Sequence, residues 1–155
     1  MGLQIADGVA LKNLPISDVS TTTDVQGMID SSALLVAKAT FDASEGVDVG
    51  DVALNLTLPS GALVVHSVVV VGTTFTSSTD AATIAVTLAS AGDICAAAAI
   101  SADGNVWDAA TKNGIPVLGT ATTAIALTAE KTAKVTVAEE ALTAGDFTVY
   151  LFYVV

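Results

Sequence analysis

The chain has 155 residues, no arginine, five lysines against sixteen Asp and Glu, and a formal charge of −11, so it lacks the usual bidentate clamp for phosphate and repels nucleic acid and anionic membrane. One His and one Cys leave little for acid–base, nucleophilic or zinc chemistry, and no cofactor or metal is expected. Charged residues make up 14% and hydrophobic ones 52%, which implies a surface largely covered by other subunits or rich in Thr and Ser.

The length suits one domain with a tail. The N-terminus has neither the basic start nor the continuous apolar run of a secretory signal, so synthesis in a cytoplasm is expected. The longest apolar run, Ala62 to Gly72, is about half the length that spans a bilayer and is broken by His66-Ser67. Residues 1–31 mix Gly8, Pro15 and the Thr21-Thr22-Thr23 tract with Leu3, Ile5, Val9, Leu11, Leu14 and Ile16, at no steady period. A free tail would be more polar. These apolar residues read as anchors of an extended arm on a partner, or as a first strand with loops.

Residues 32–155 read as β throughout. Ala33 to Phe41 is a first strand. In Val52 to Leu58, the residues Val52, Leu54, Leu56 and Leu58 share one face, with Asn55 and Thr57 on the other. Pro59-Ser60-Gly61 turns the chain into Leu63 to Val71, apolar on both faces as in a central or partner-covered strand. Thr73 to Asp80 reads as a loop or a wide hairpin. Thr83 to Ala89 alternates, with Ile84, Val86 and Leu88 inward and Thr83 and Thr87 outward. Ala96 to Ile100 reads as strand or helical turn, and Ser101 to Gly119 as an irregular excursion. Thr123 to Thr128 and Ala133 to Val137 suggest a hairpin around Glu130-Lys131. Ala141 to Asp146 reads as a connection before the last strand, Phe147 to Val155.

That last segment has no charge, no Pro and aromatics on both faces, so it must be central or covered by another chain. Val68, Val70, Phe147, Tyr150, Phe152 and Tyr153 are therefore expected in core or subunit packing. Short strands, frequent turns and no sustained helical period predict an all-β fold. The expected form is an antiparallel β-sandwich, jelly-roll or Greek-key like, with an extended N-terminal arm.

Candidate sites are sparse. The run from Asp42 to Asp51 loosely imitates a calcium loop, but Val47 and Ala53 stand where an EF-hand needs Gly and Glu, so an acidic turn is expected. Glu139-Glu140 would point to opposite faces of a strand and reads as a solvated loop. His66 reads as structural, and Cys95, before an alanine run, as a small buried hydrophobe. Trp107, near Asp103, Asn105 and Asp108, is either a sugar-stacking platform or the pin of a long loop. An enzyme is not expected.

The stretch Asn55-Leu56-Thr57-Leu58-Pro59-Ser60-Gly61-Ala62-Leu63-Val64-Val65-His66-Ser67-Val68-Val69-Val70-Val71 precedes Thr73-Thr74-Phe75-Thr76 and Thr83-Ile84-Ala85-Val86. Together with the closing Ala141-Leu142-Thr143-Ala144-Gly145-Asp146-Phe147-Thr148-Val149-Tyr150-Leu151, it resembles small virion proteins of tailed bacteriophages. The resemblance is notably to capsid decoration (cement) proteins and related head proteins of marine phages, over roughly residues 52–90 and 120–155. The resemblance implies a β-sandwich, often a homotrimer, on the outer capsid surface at local threefold axes. There it would clamp neighbouring copies of the major capsid protein, with residues 1–31 reaching along the shell or a neighbouring subunit. It carries over no individual site residue. A tail or head-fibre module and a carbohydrate-binding or adhesion module are the alternatives.

Overall fold

The computed structural model describes residues 34–101, 106–109, 115–116 and 124–155. The expected arm, with Leu3, Ile5, Val9, Leu11, Leu14 and Ile16, lies outside them. The described residues form strands β1 (Leu35–Asp42), β2 (Gly50–Leu58), β3 (Leu63–Ser77), β4 (Thr83–Thr87), β5 (Cys95–Ala99), β6 (Ile115–Pro116), β7 (Ile125–Ala126), β8 (Lys131–Ala138) and β9 (Leu142–Val154). No helix occurs among the described residues.

Every pairing is antiparallel, and the pairs nest. β4 pairs with its neighbour β5, β3 with β6 and β7, β2 with β8, and β1 with β9. Contacts of β9 with β3 and of β8 with β4 complete two sheets. Sheet A has the order β1-β9-β3-β6, with β7 also on β3; sheet B has the order β2-β8-β4-β5. The chain crosses between sheets at the turn after Pro59, where the Ala62 N–H donates to the Pro59 carbonyl at 3.3 Å.

Both sheets contribute alternate side chains to one apolar core. From sheet B come Leu54, Leu56, Leu58, Ile84, Val86, Val135 and Val137; from sheet A come Phe41, Val64, Val69, Val71, Phe147, Val149 and Leu151. The period-2 reading of β2 holds, with Asn55 and Thr57 exposed opposite the buried leucines. β9 runs between β1 and β3, the central position that its uncharged stretch from Phe147 onward requires. A register shift between Val64 and His66 in β3 turns both Val65 and His66 away from the core before Ser67, Val69 and Val71 return to it.

Three expectations are corrected. Thr73 to Asp80 is not all loop: β3 continues to Ser77, and Ala141 to Asp146 is not a connection, because β9 starts at Leu142. These two ends pair with each other, Thr76 opposite Ala144 and Ser77 opposite Leu142, and so share the ladder that either alone would lack. The hairpin around Glu130-Lys131 does not form: β7 pairs with β3 in sheet A, and β8 with β2 and β4 in sheet B. Thr87 stands on the outer side, as its alternation with Ile84 and Val86 suggests, and is nonetheless buried, its hydroxyl accepting the Gly92 N–H at 2.9 Å in the β4–β5 turn. The alanine run resolves as strand β5.

Three of the four Phe and the only Trp meet at one place in the core. Ring centroids of Phe41, Phe75 and Phe147 lie 5.4 to 6.1 Å apart. Trp107 closes the group, edge-on to Phe75 at 5.9 Å and 5.6 Å from Phe147. Such ring geometries add to the apolar burial itself. The Trp107 carbonyl accepts the Phe75 N–H at 3.2 Å, fastening residues 106–109 to β3. Gly145 makes room for this cluster. With φ at +122°, a Cβ there would lie 2.3 Å from Cδ1 and 2.7 Å from Cα of Phe75. Gly145→Ala is therefore expected to destabilise the fold by about 3 kcal/mol or more, from overpacking plus backbone strain. Gly61→Ala, at φ +89° but in open space, should cost only about 1 kcal/mol. Urea unfolding of the two variants measures the difference.

Candidate interaction surface

The candidate chemical groups are engaged in building the fold. Asp42 accepts the Ser44 N–H at 2.8 Å, and that bond lowers its pKa. Asp51 takes the Lys134 ammonium at 2.5 Å and the Thr136 hydroxyl at 2.6 Å, and these bonds, Lys134 first, lower its pKa. The two ends of the acidic run thus serve different strands, and among the described residues no group of three or more His, Cys, Asp or Glu converges on a metal position.

Glu139 is exposed at φ +68°, but Glu140 is not the solvated residue expected. It reaches the β3–β4 turn and accepts from the Ser77 hydroxyl at 2.5 Å, the Thr79 N–H at 3.0 Å and the Ala81 N–H at 3.2 Å. A second clamp escaped the sequence reading. Buried Asp93 accepts the N–H groups of Leu88, Ala89 and Ser90 at 2.7, 2.8 and 2.9 Å and shapes the β4–β5 turn. Its signal was the cluster Ser90-Ala91-Gly92-Asp93, a turn composition. Cys95 is buried, and burial pushes its thiol up to about 11. Trp107 is 1% exposed, so it is a loop pin and offers no stacking platform for a sugar.

The outer faces of the two sheets differ. On sheet B, Asp51, Thr136 and Ala85 lie in one cross-strand row, and Ala53, Lys134 and Thr87 in another. Asn55 is exposed, and the hydroxyls of Thr57 and Thr132 bond across the strands at 2.8 Å. This face is wettable. On sheet A the rows read Val36, Phe152, His66, then Lys38, Tyr150, Val68, then Thr40, Thr148, Val70. His66 and Phe152 rings are 5.7 Å apart. Beyond them Val154 faces Leu63. Of the five exposed large apolar residues among those described, Leu34, Val36, Val65 and Val155 lie at this one end of sheet A; only Val49 is elsewhere. The opposite end of the face is acidic, with Asp42 directly across from Asp146.

The expected packing residues thus divide. Phe147 is core, and Tyr153 is half-buried against the core. Val68, Val70, Tyr150 and Phe152 stand half-buried on the outer face of sheet A.

No family model matches the chain, and no curated protein matches it. Solved structures do share its fold. A chain in the capsid asymmetric unit of cyanophage Pam1 aligns with a TM-score of 0.57 at 20% identity, covering 79% of this chain and 84% of that one. A chain in the acid-stable capsid of Helicobacter pylori bacteriophage KHP30 gives 0.57 at 20% identity, with 81% and 90% covered. One in the capsid of Ralstonia phage GP4 gives 0.53 at 17% identity, with 80% and 85% covered. The paired coverages make all three matched chains similar in length to this one.

Two of the buried or bonded groups give measurable behaviour. Hydrogen bonds from Ser77 and the Thr79 N–H hold the Glu140 pKa below its ordinary 4.5. Its contribution is full above that value and is lost as pH falls through the lower folded-state value. Urea midpoints recorded from pH 7 down to pH 3 should fall, and Glu140→Gln should lower the neutral midpoint and flatten the fall. For Cys95, a rise from 9.0 to about 11 predicts thiol alkylation at pH 8 about a hundredfold slower in the native chain than in urea.

Proposed function

We propose that this protein is a capsid decoration (cement) protein of a tailed phage, binding the outer surface of the head and stabilising the shell of the major capsid protein. The observation that carries the reading is the shared fold with similar-length chains of three phage capsid structures. The nested strand pairs support a jelly roll: a long hairpin with its tip at β4–β5 rolls up so that alternate pairs fall into opposite sheets. A chain of this length with the same fold suits an accessory subunit.

In this reading the protein works by binding energy rather than by a reaction. It acts as a homotrimer, and three subunits per site multiply modest single contacts through avidity. Residues 1–31, with Leu3, Ile5, Val9, Leu11, Leu14 and Ile16 as anchors, lace onto the shell by apolar and main-chain contacts. The charge of −11 helps keep an apolar chain soluble. The buried Trp107 takes away the residue on which a carbohydrate-binding alternative relied.

Shells assembled from the major capsid protein of the same phage test this by co-sedimentation. The full chain should sediment with expanded shells. Removing residues 1–31 should weaken binding at least tenfold while leaving the thermal unfolding transition in place. A full chain that stays in the supernatant across salt concentrations, with shells intact, would contradict the proposal and return the fibre or tail alternative.

A further inference from the structure

We infer that the apolar end of the outer face of sheet A is where copies of this chain meet, with Val36, Phe152, Tyr150 and Val68 at the centre of the contact. The inference rests on the virion-subunit reading only for the reason that copies need to hold together.

Three observations lead to a second copy as the occupant. First, the face has the composition of an interface centre. Val36, Phe152 and His66 lie side by side in register, and Lys38, Tyr150 and Val68 form the next row. Aromatic side chains concentrate at interface cores, and Glu and Asp are depleted there. No Asp or Glu occurs within residues 34–41, 63–71 or 147–155, although the chain carries sixteen in all. Elsewhere two copies at −11 each would bring carboxylates together; here they approach without doing so.

Second, the face is complementary to itself in charge. Among the described residues Lys38 makes no ion pair, the single salt bridge being Lys134 with Asp51 on sheet B. Asp42 and Asp146 lie directly opposite each other at the far end of the same face, a like-charge cross-strand pair with no cation described beside it. The Lys38 of one copy can therefore be attracted to the acidic end of another when the two overlap along this face.

Third, the face needs a partner from the moment the chain folds. Contiguous exposed apolar surface on a soluble chain promotes aggregation, and a second copy is a partner present wherever the chain is made. The strand edges fit the role less well. β1, at one edge of sheet A, carries Lys38 and Asp42, and β2, at one edge of sheet B, carries Asp51; such charges guard an edge against further pairing. The edge strand β5 is uncharged and short, and so serves as the comparison surface.

The test is the solution mass of the full chain by light scattering during size-exclusion chromatography, over 1 to 100 µM, with circular dichroism to confirm folding. The wild type should be a stable oligomer. Val36→Asp, at a position already 55% exposed, should leave the fold intact and weaken association roughly thirtyfold or more. Phe152→Ser should do the same; if it fails to fold, Val36→Asp decides. Lys38→Asp should weaken association, and adding Asp146→Lys should restore part of it. Ala97→Lys on β5 should change nothing. A monomeric wild type overturns the inference, as does an oligomer that survives Val36→Asp or dissociates only with Ala97→Lys. Shell co-sedimentation keeps the two proposals apart. An oligomer dissolved by Val36→Asp that never binds shells sinks the capsid role alone. A monomer that binds shells sinks this contact and the homotrimer, and leaves shell binding standing.

Discussion

From Phe147 onward strand β9 is apolar on both faces, and that constraint orders the domain. It has no charged side chain there, and it carries Phe147, Val149 and Leu151 inward and Tyr150 and Phe152 outward. Pairing with β1 on one side and β3 on the other satisfies its main chain along nearly its whole length. Its inward residues then meet sheet B across the core, and Phe147 becomes the hinge of the aromatic group with Phe41, Phe75 and Trp107. Gly145 just before it gives Phe75 its space. What pairing and core packing leave undone is the outward side.

The two sheets resolve that side differently. Sheet B meets water through Asn55, Thr57, Thr132, Lys134 and Asp51, a surface that needs no cover. Sheet A ends in valines and Phe152 around a half-buried His66. Carboxylates are used sparingly near the core and at defined places. Asp93 and Glu140 each collect several donors from a neighbouring turn, where a carboxylate accepting N–H groups replaces the ladder that the turn cannot form. A chain with so few positive charges organises its loops by N–H and hydroxyl donors rather than by ion pairs, and only Lys134 forms a salt bridge among the described residues.

Much of this was legible in the sequence because a half-buried strand writes its face in alternation. Leu54, Leu56 and Leu58, and again Ile84, Val86 and Leu88, announced the core directly. The need for β9 to be central followed from its lack of charge. The extra length of β3 and β9 was not legible. Thr73-Thr74, Ser77 and Gly145 are turn residues by composition and become strand only because each segment offers the other a ladder, some 70 residues away in the chain. The false hairpin at 123–137 has the same origin: neighbouring strands usually pair, but nested pairing sends β7 and β8 to opposite sheets. Glu140 and Asp93 looked like any acidic loop residue, since what distinguishes them is which N–H groups the fold brings within reach. The outer-face patch was half visible, as a demand for burial on both sides of Phe147 to Val155, while the division of its residues between core and outer face required the register.

Cryo-electron microscopy of the phage head assembled with this chain is the decisive test of the proposed shell-bound role. Density for the two-sheet domain is expected on the outer shell surface, repeated about local threefold positions, with sheet A turned toward neighbouring copies and sheet B toward solvent. Density for the domain only in the tail, or an undecorated shell in particles that contain the chain, would contradict it.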